Sequence, residues 1–175
     1  GMFTVPATAC SAAAPCASPA GSLTLRCAAS RCDPDPVMFD LSPQDLLDVG
    51  AYVPQWDVVR AEVDTLQVTA LRFDALATSY RGPAPNLDVY WGPASATAIV
   101  SDGVRHLGRV ASVRLDAQGH ARGDLVADRA GLDAFAGHLL HTSSRFRVFA
   151  RVGIDLAPGD PLPGGRLSVR LEIGV

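Results

Sequence analysis

The sequence predicts a mainly β protein: an antiparallel β-sandwich, immunoglobulin-like or jelly-roll-like, with one or two short helices. Apolar and polar residues alternate over residues 146–156 and again over 167–175, which places one face of each strand on a core. Turns rich in Gly and Pro separate several short runs of this kind. That pattern is typical of antiparallel sandwiches and not of doubly wound parallel sheets.

The chain divides by composition into two parts. Residues 1–36 form a segment rich in Ala, Pro and Ser that holds all four cysteines, and residues 37–175 are predicted to form a single sandwich domain. Asp33-Pro34-Asp35-Pro36 is a stiff linker between them, because residues before proline are pushed out of the helical region.

The domain is expected to open with a strand over residues 37–41. Ser42 and Pro43 then have the pattern of a helix start, and Gly50 is a plausible stop, so a two-turn helix is predicted between them. Residues 56–73 leave two interpretations open. Their apolar spacing suits an amphipathic helix, but their many β-branched residues and local alternation favour strand, which we adopt.

The middle of the domain has a strand over residues 87–91. Asp102-Gly103 predicts a type I′ hairpin between residues 98–100 and 104–107. Alternation over 111–115 leads to a second predicted hairpin at Gln118-Gly119. Residues 128–141 carry one apolar face at helical spacing and are predicted to form a helix.

The last two alternating runs are predicted to pair as an antiparallel hairpin. Its outer face would then carry an aromatic residue among basic ones, an arrangement suited to an anionic lipid head group, a glycan or an acidic protein. The residues of this predicted binding surface are Arg145, Arg147, Phe149, Arg151, Arg166 and Arg170. A plain solvated sheet face is the alternative.

The four cysteines, Cys10, Cys16, Cys27 and Cys32, predict two disulfides. A segment that cannot order itself by burial gains stability from cross-links. Three connectivities are possible, and spacing does not choose among them. A zinc site is the less favoured alternative, because paired zinc ligands usually flank a turn that contains glycine and neither short gap here contains one; free thiols are the other alternative.

Disulfides predict an extracytoplasmic protein: periplasmic, anchored to the outer membrane, or secreted. Ala7-Thr8-Ala9-Cys10 is similar to the small residues before the lipidated cysteine of bacterial lipoproteins, although it lacks their usual leucine. The prediction therefore includes a bacterial lipoprotein.

Composition excludes several classes of protein. With 48% hydrophobic residues the chain has ample apolar surface for a core, which excludes intrinsic disorder. A net charge of −3 argues against a general nucleic-acid binder. No apolar run reaches the eighteen residues of a transmembrane helix.

No pattern of catalytic residues emerges. The chain has no G-x-S-x-G nucleophile elbow and no Gly-rich phosphate loop, so neither an enzyme nor a cofactor is predicted. His138 and His141 are weak metal candidates, since residues three apart share a helix face. Surface histidines near a helix end are the simpler interpretation.

The functional expectation is a non-enzymatic bacterial β-sandwich module that binds a partner at the cell surface (a protein, glycan or lipid) or has a structural role there. The alternative is a carrier of a small apolar ligand or lipid, which requires an apolar pocket of several hundred Å3. An enzyme of unidentified class ranks third.

Overall fold

The computed structural model describes residues 4–17, 23–41 and 45–175. Its strands are β1 (Leu25–Ala28), β2 (Arg31–Pro34), β3 (Val37–Leu41), β4 (Leu47–Asp48), β5 (Ala70–Ala77), β6 (Asn86–Pro93), β7 (Arg105–Val110), β8 (His120–Asp124), β9 (Val126–Ala127), β10 (Arg145–Ile154) and β11 (Leu167–Gly174). Its helices are α1 (Trp56–Glu62) and α2 (Arg129–His141), with a 3-10 turn at Val49–Ala51.

The strands form two larger sheets and one hairpin. The main sheet has the order β3-β10-β6-β7-β9, and β4 also pairs with β10. The second sheet has the order β11-β5-β8, while β1 and β2 pair with each other. Each of these strand pairs is antiparallel, which confirms the predicted mainly β, antiparallel fold class with two helices.

Both larger sheets contribute to a single hydrophobic core. Val148 on β10, Val89 on β6 and Phe73 on β5 belong to the same buried cluster. Along β10, every second residue from Phe146 to Ile154 is buried, so the predicted inward face of this strand is confirmed. This shared core is what a sandwich of two sheets requires.

Helix α2 forms as predicted and packs against β7. The Asp128 carboxylate caps its start by accepting a hydrogen bond from the Gly131 amide at 3.1 Å. On its inner side, the indole nitrogen of Trp91 donates to the Gly131 carbonyl at 3.1 Å. Phe135 and Leu139 are buried in the core, so this helix covers one flank of the main sheet.

The N-terminal segment is tied to the rest of the chain by its backbone and by two side chains. The Val5 amide donates to the Asp160 carbonyl at 2.8 Å, and Gly159 donates back to the Val5 carbonyl at 3.0 Å. The side chains of Val5 and Leu23 are buried in the common core.

The predicted C-terminal hairpin is wrong. β10 lies in the middle of the main sheet between β3 and β6, whereas β11 is an edge strand of the second sheet and pairs with β5. Alternation gives each strand an apolar face but does not encode its partner. The two strands therefore belong to different sheets and do not lie side by side.

The strand predicted over residues 56–73 is wrong except over its last four residues. Trp56–Glu62 is the helix α1, and strand begins only at Ala70. Burial of Trp56 and an ion pair of 3.0 Å between Asp57 and Arg60, one turn apart, favour the helix. Val58 and Val59 are exposed in this helix. Their stiff side chains therefore lower its stability by only about a few tenths of a kcal/mol each, which is the size of the helix-propensity difference between valine and alanine.

The helix predicted between Ser42 and Gly50 is also wrong over the residues that can be compared; positions 42–44 lie outside the described residues. Leu47–Asp48 is a short strand that pairs with β10. The Asp48 carboxylate accepts a hydrogen bond from the Gly50 amide at 3.0 Å and so caps the 3-10 turn. Pairing with β10 outweighs the local helix signal.

The strands predicted at residues 98–100 and 111–115 do not form. β7 pairs with β6 across the long loop 94–104, and residues 98–100 form no strand with 104–107, although Gly103 has the positive φ of +81°. Residues 111–115 are irregular, anchored where the Val113 amide donates to the Pro85 carbonyl. The predicted turn at Gln118-Gly119 forms, with φ +81° at Gly119, and leads into β8, which pairs with β5.

Candidate functional site

Among the described residues, an apolar groove lies at the open side of the two sheets. One wall is the inner face of β11, the floor is the start of β10, and the other wall is the stretch from β4 through the 3-10 turn. Its lining residues are Leu47, Asp48, Val49, Tyr52, Val53, Phe146, Val148, Val169, Arg170, Leu171, Ile173 and Val175. We call this feature the groove. Its volume is about 720 Å3, within the range of about 300–1,000 Å3 that small-molecule sites occupy.

The groove exists because β11 is an edge strand. β11 pairs with β5 on one side only, so its inward residues Val169, Leu171 and Ile173 are half-buried where the corresponding residues of β10 are buried. Across from them, β4 adds only two residues to the main sheet. The groove lies open between β11 and β4, above the floor that Phe146 and Val148 form.

All but two of the groove's lining residues are apolar or aromatic. The two exceptions are Asp48 and Arg170. Asp48 accepts a hydrogen bond from the Gly50 amide and forms an ion pair of 3.1 Å with the Arg145 guanidinium. Hydrogen bonds from Ser144 and Arg145 lower the pKa of this carboxyl, so it is ionised at neutral pH. Tyr52 lies at the mouth with 77% of its surface exposed. The groove thus offers an apolar body with polar groups only at its rim.

The predicted arginine surface is not assembled in the structure. Arg145, Arg147 and Arg151 lie on the outer side of the main sheet, while Arg166 and Arg170 belong to the second sheet or its approach. This separation follows directly from the placement of β10 and β11 in different sheets.

Phe149 is buried, with 1% exposure, and does not stand among the arginines on the surface. The loop 94–104 folds over it: a Cβ added to Gly92 would lie 3.2 Å from the Phe149 ring, 3.0 Å from Ala96 and 2.8 Å from Val104. Arg147 adds to this cover by donating to the Ala94 carbonyl at 3.2 Å. The outer face of the main sheet therefore has a small apolar layer of its own.

The other arginines of the prediction have local partners or neutral surroundings. Arg151 forms a two-pronged ion pair with Asp40 on β3, one hydrogen bond being 2.9 Å long. That contact lowers the pKa of Asp40. Arg170 lies on the outer face of the second sheet beside Asp74, in a region where three arginines face three acidic residues. This neutral face does not offer the excess positive charge that an anion would need.

A histidine that the sequence analysis did not single out lies at the centre of the main sheet's polar face. The two ring nitrogens of His106 lie 3.1 Å from Asp88 and 3.2 Å from Asp128. A hydrogen bond from the Gly131 amide and the contact with His106 lower the pKa of Asp128. Burial and the nearby charge of Asp88 raise the pKa of Tyr90, whose ring meets His106 edge-on at 5.1 Å.

This histidine joins three elements of the fold. Asp88 lies on β6, His106 on β7 and Asp128 at the start of α2, so the cluster ties the helix to the sheet. Because both ring nitrogens contact carboxylates, neither is free to bind a substrate or an ion. Residues distant in sequence meet here through strand register, and no local spacing in the sequence could have revealed that.

The two weak metal candidates do not converge on a common ligand position. His138 is half-buried, donates from Nε2 to the Arg145 carbonyl at 2.9 Å, and packs on Trp91 at 5.0 Å. His141 is exposed at the end of α2. Within residues 4–17, 23–41 and 45–175, neither belongs to a group of three side chains close enough to share an ion.

The predicted disulfides are present, with the pairing Cys10–Cys27 and Cys16–Cys32. Two such bonds are typical of an oxidising environment outside the cytoplasm. Because the sulfur of Cys10 is bonded to Cys27, it is not available for the thioether-linked lipid of a lipoprotein. The described helices include none that is long and apolar enough to cross a membrane.

Comparison of the chain with protein-family models, with curated proteins and with solved structures found no match.

Proposed function

We propose that this protein is a non-enzymatic, extracytoplasmic binding module that takes up a small apolar molecule or an acyl chain in its groove. The observation that carries the proposal is the groove's size together with its lining, about 720 Å3 bounded almost entirely by apolar side chains. Of the roles expected from the sequence, the apolar-ligand carrier is the one that requires such a cavity.

The energetics of the inner face of β11 support the same role. Val169, Leu171 and Ile173 are only half-buried although they face the core. Covering apolar surface contributes about 25 cal/mol per Å2, so an acyl chain or flat apolar molecule lying along this strand would gain free energy from it. The ligand would take the position that a further strand or helix takes in a closed sandwich.

A protein partner is the second candidate, and edge strand β3 favours it. Met38, Phe39 and Leu41 are each between 42% and 50% exposed on this strand, and its outer edge pairs with no other strand among the residues that the structure describes. An exposed apolar edge strand is a surface on which another chain can add a strand. This corresponds to the surface module expected from the sequence.

The two disulfides support export from the cell. We propose a bacterial protein that is secreted or periplasmic. Attachment to a membrane would need a group other than the Cys10 thiol.

The test of apolar binding is a fluorescence titration with N-phenyl-1-naphthylamine, an uncharged probe, followed by competition with palmitate. We expect saturable binding with one site per chain. Val169→Trp would place an indole in the groove and weaken binding at least about tenfold, equivalent to about 1.4 kcal/mol.

The matched control is Val126→Trp, the same change on strand β9, where the side chain is 79% exposed and outside the groove. It should bind the probe as the unchanged protein does. Circular dichroism of both variants checks that they fold. Absence of saturable binding, or equal affinity in the two variants, would contradict the proposal and leave the protein-partner role as the stronger candidate.

A further inference from the structure

Three of the four cysteine sulfurs of the N-terminal segment lie close together. The Sγ atoms of Cys10, Cys16 and Cys32 all lie within 4.8 Å of one another, although they belong to two different disulfides. The fourth, that of Cys27, is bonded to Cys10 at 2.05 Å. Sulfurs of both disulfides therefore lie in one region, and the Cys27 sulfur joins it through its bond to Cys10.

Backbone hydrogen bonds also hold this cluster in place. The Cys10 amide donates to the Ser30 carbonyl, and the Cys32 amide donates to the Thr8 carbonyl, both at 3.0 Å. Cys27 and Cys32 are directly opposite each other in the β1–β2 hairpin. Cys10, Cys27 and Cys32 thus have backbone restraints in addition to the disulfides.

The spacing and surroundings suit a soft metal ion. Zn2+ bound by four thiolates has Zn–S distances of about 2.3 Å, which puts the sulfurs about 3.8 Å apart in a tetrahedron. The bonded sulfurs, now 2.05 and 2.16 Å apart, would separate to that distance on reduction, and those of Cys10, Cys16 and Cys32 already lie within 4.8 Å of one another. Cys10 and Cys32 are buried, and the Thr8 hydroxyl lies 3.4 Å from the Cys32 sulfur, where it can donate to a thiolate.

We propose that the reduced chain binds one Zn2+ through Cys10, Cys16, Cys27 and Cys32, so that the same sulfurs carry either two disulfides or a metal thiolate site. Each disulfide takes two electrons and two protons from a dithiol reductant, which is itself oxidised to a disulfide. Two equivalents give four thiols, and Zn2+ displaces their protons as it binds. The segment from 10 to 32 would then report the redox state of its compartment.

The experiment uses the full chain. It is reduced with excess dithiol, freed of reductant under anaerobic conditions, and titrated with Co2+ and then Zn2+. We expect one ion per chain, the intense visible absorption of tetrahedral Co2+ with a thiolate charge-transfer band, and displacement of Co2+ by Zn2+. The oxidised chain should bind neither ion and should have a mass about four units lower, one hydrogen for each thiol.

Two variants control the result. Cys32→Ser removes the most buried sulfur and should weaken Zn2+ binding on the order of 100-fold. Ser11→Ala changes an exposed neighbour whose hydroxyl is not a ligand and should leave the affinity unchanged. A weak octahedral Co2+ spectrum, more than one ion per chain, no binding after reduction, or equal affinity in the Cys32 variant would each overturn the proposal.

Discussion

Gly131 shows how closely helix α2 rests on the main sheet. A Cβ added at this residue would overlap the backbone oxygen of His106, which belongs to β7 and cannot move aside as a side chain would. The same helix contains Gly137, around which nothing lies within 4 Å of an added Cβ. One helix therefore holds two glycines with opposite roles.

We expect Gly131→Ala to lower the free energy of unfolding by about 1–3 kcal/mol, because the helix must shift away from β7. Gly137→Ala should raise it by up to about 1 kcal/mol, since alanine is the better helix former and meets no neighbour. Urea unfolding of both variants measures the difference. Equal effects of the two substitutions would contradict the close packing of α2 on the sheet.

Some residues of the candidate site could be found from the sequence and others could not. The pairing capacity of the cysteines and the apolar inward residues of β10 follow from residue type and spacing. His106 does not: its contacts with Asp88 and Asp128 join positions 18 and 22 residues away. Strand register makes those contacts, and register is not visible in the chain.

The β1–β2 hairpin has a turn that the sequence does not predict. Ala29 and Ser30 occupy it with φ angles of +48° and +63°, a region that favours glycine or asparagine. The hairpin tolerates this cost because Cys27 and Cys32 face each other beyond the turn and are each cross-linked to the preceding chain.

We expect Ser30→Gly to raise the free energy of unfolding by about 0.5–1 kcal/mol, since glycine adopts a positive φ without a steric cost. The control is Ala28→Gly in strand β1, where φ is not positive, and it should lower stability by about 0.5–1 kcal/mol. Thermal unfolding with both disulfides intact measures each change. A loss of stability in the Ser30 variant would contradict the strained turn.

Elements were predicted well where one signal dominated. Helix α2 has an apolar face and a capping aspartate, and β10 has an unbroken alternation, so both were identified with bounds close to those observed. Of the elements that were missed, α1 and β4 are only seven and two residues long. Segments that short depend on tertiary contacts more than on their own propensity.

The charge pattern of the whole molecule makes its stability depend on pH. Asp40, Asp48, Asp116 and Asp128 all have pKa values lowered in the folded state by hydrogen bonds or ion pairs. A carboxyl whose pKa is lower in the folded state than in the unfolded state stabilises the fold at pH values above its unfolded-state pKa. That contribution is lost as pH falls through the folded value.

We therefore expect the free energy of unfolding to be constant near neutral pH and to fall steadily below about pH 4. Asp40→Asn should flatten this decline, because the ion pair with Arg151 no longer titrates. Arg151→Gln should flatten it as well, by removing the main cause of the lowered Asp40 pKa. Urea midpoints measured from pH 7 to pH 3 test this; slopes identical to that of the unchanged protein would show that the pair contributes nothing.

The sequence alone determined which stretches prefer to be extended, which side of β10 and β11 turns inward, where helix α2 begins, and that the cysteines pair. These properties depend on neighbours a few residues apart. The tertiary structure alone decided that β10 and β11 belong to different sheets, and from this come the dispersed arginines, the buried Phe149 and the open groove. An alternating strand can pair equally well with many others, and only the packing of the whole core selects among them.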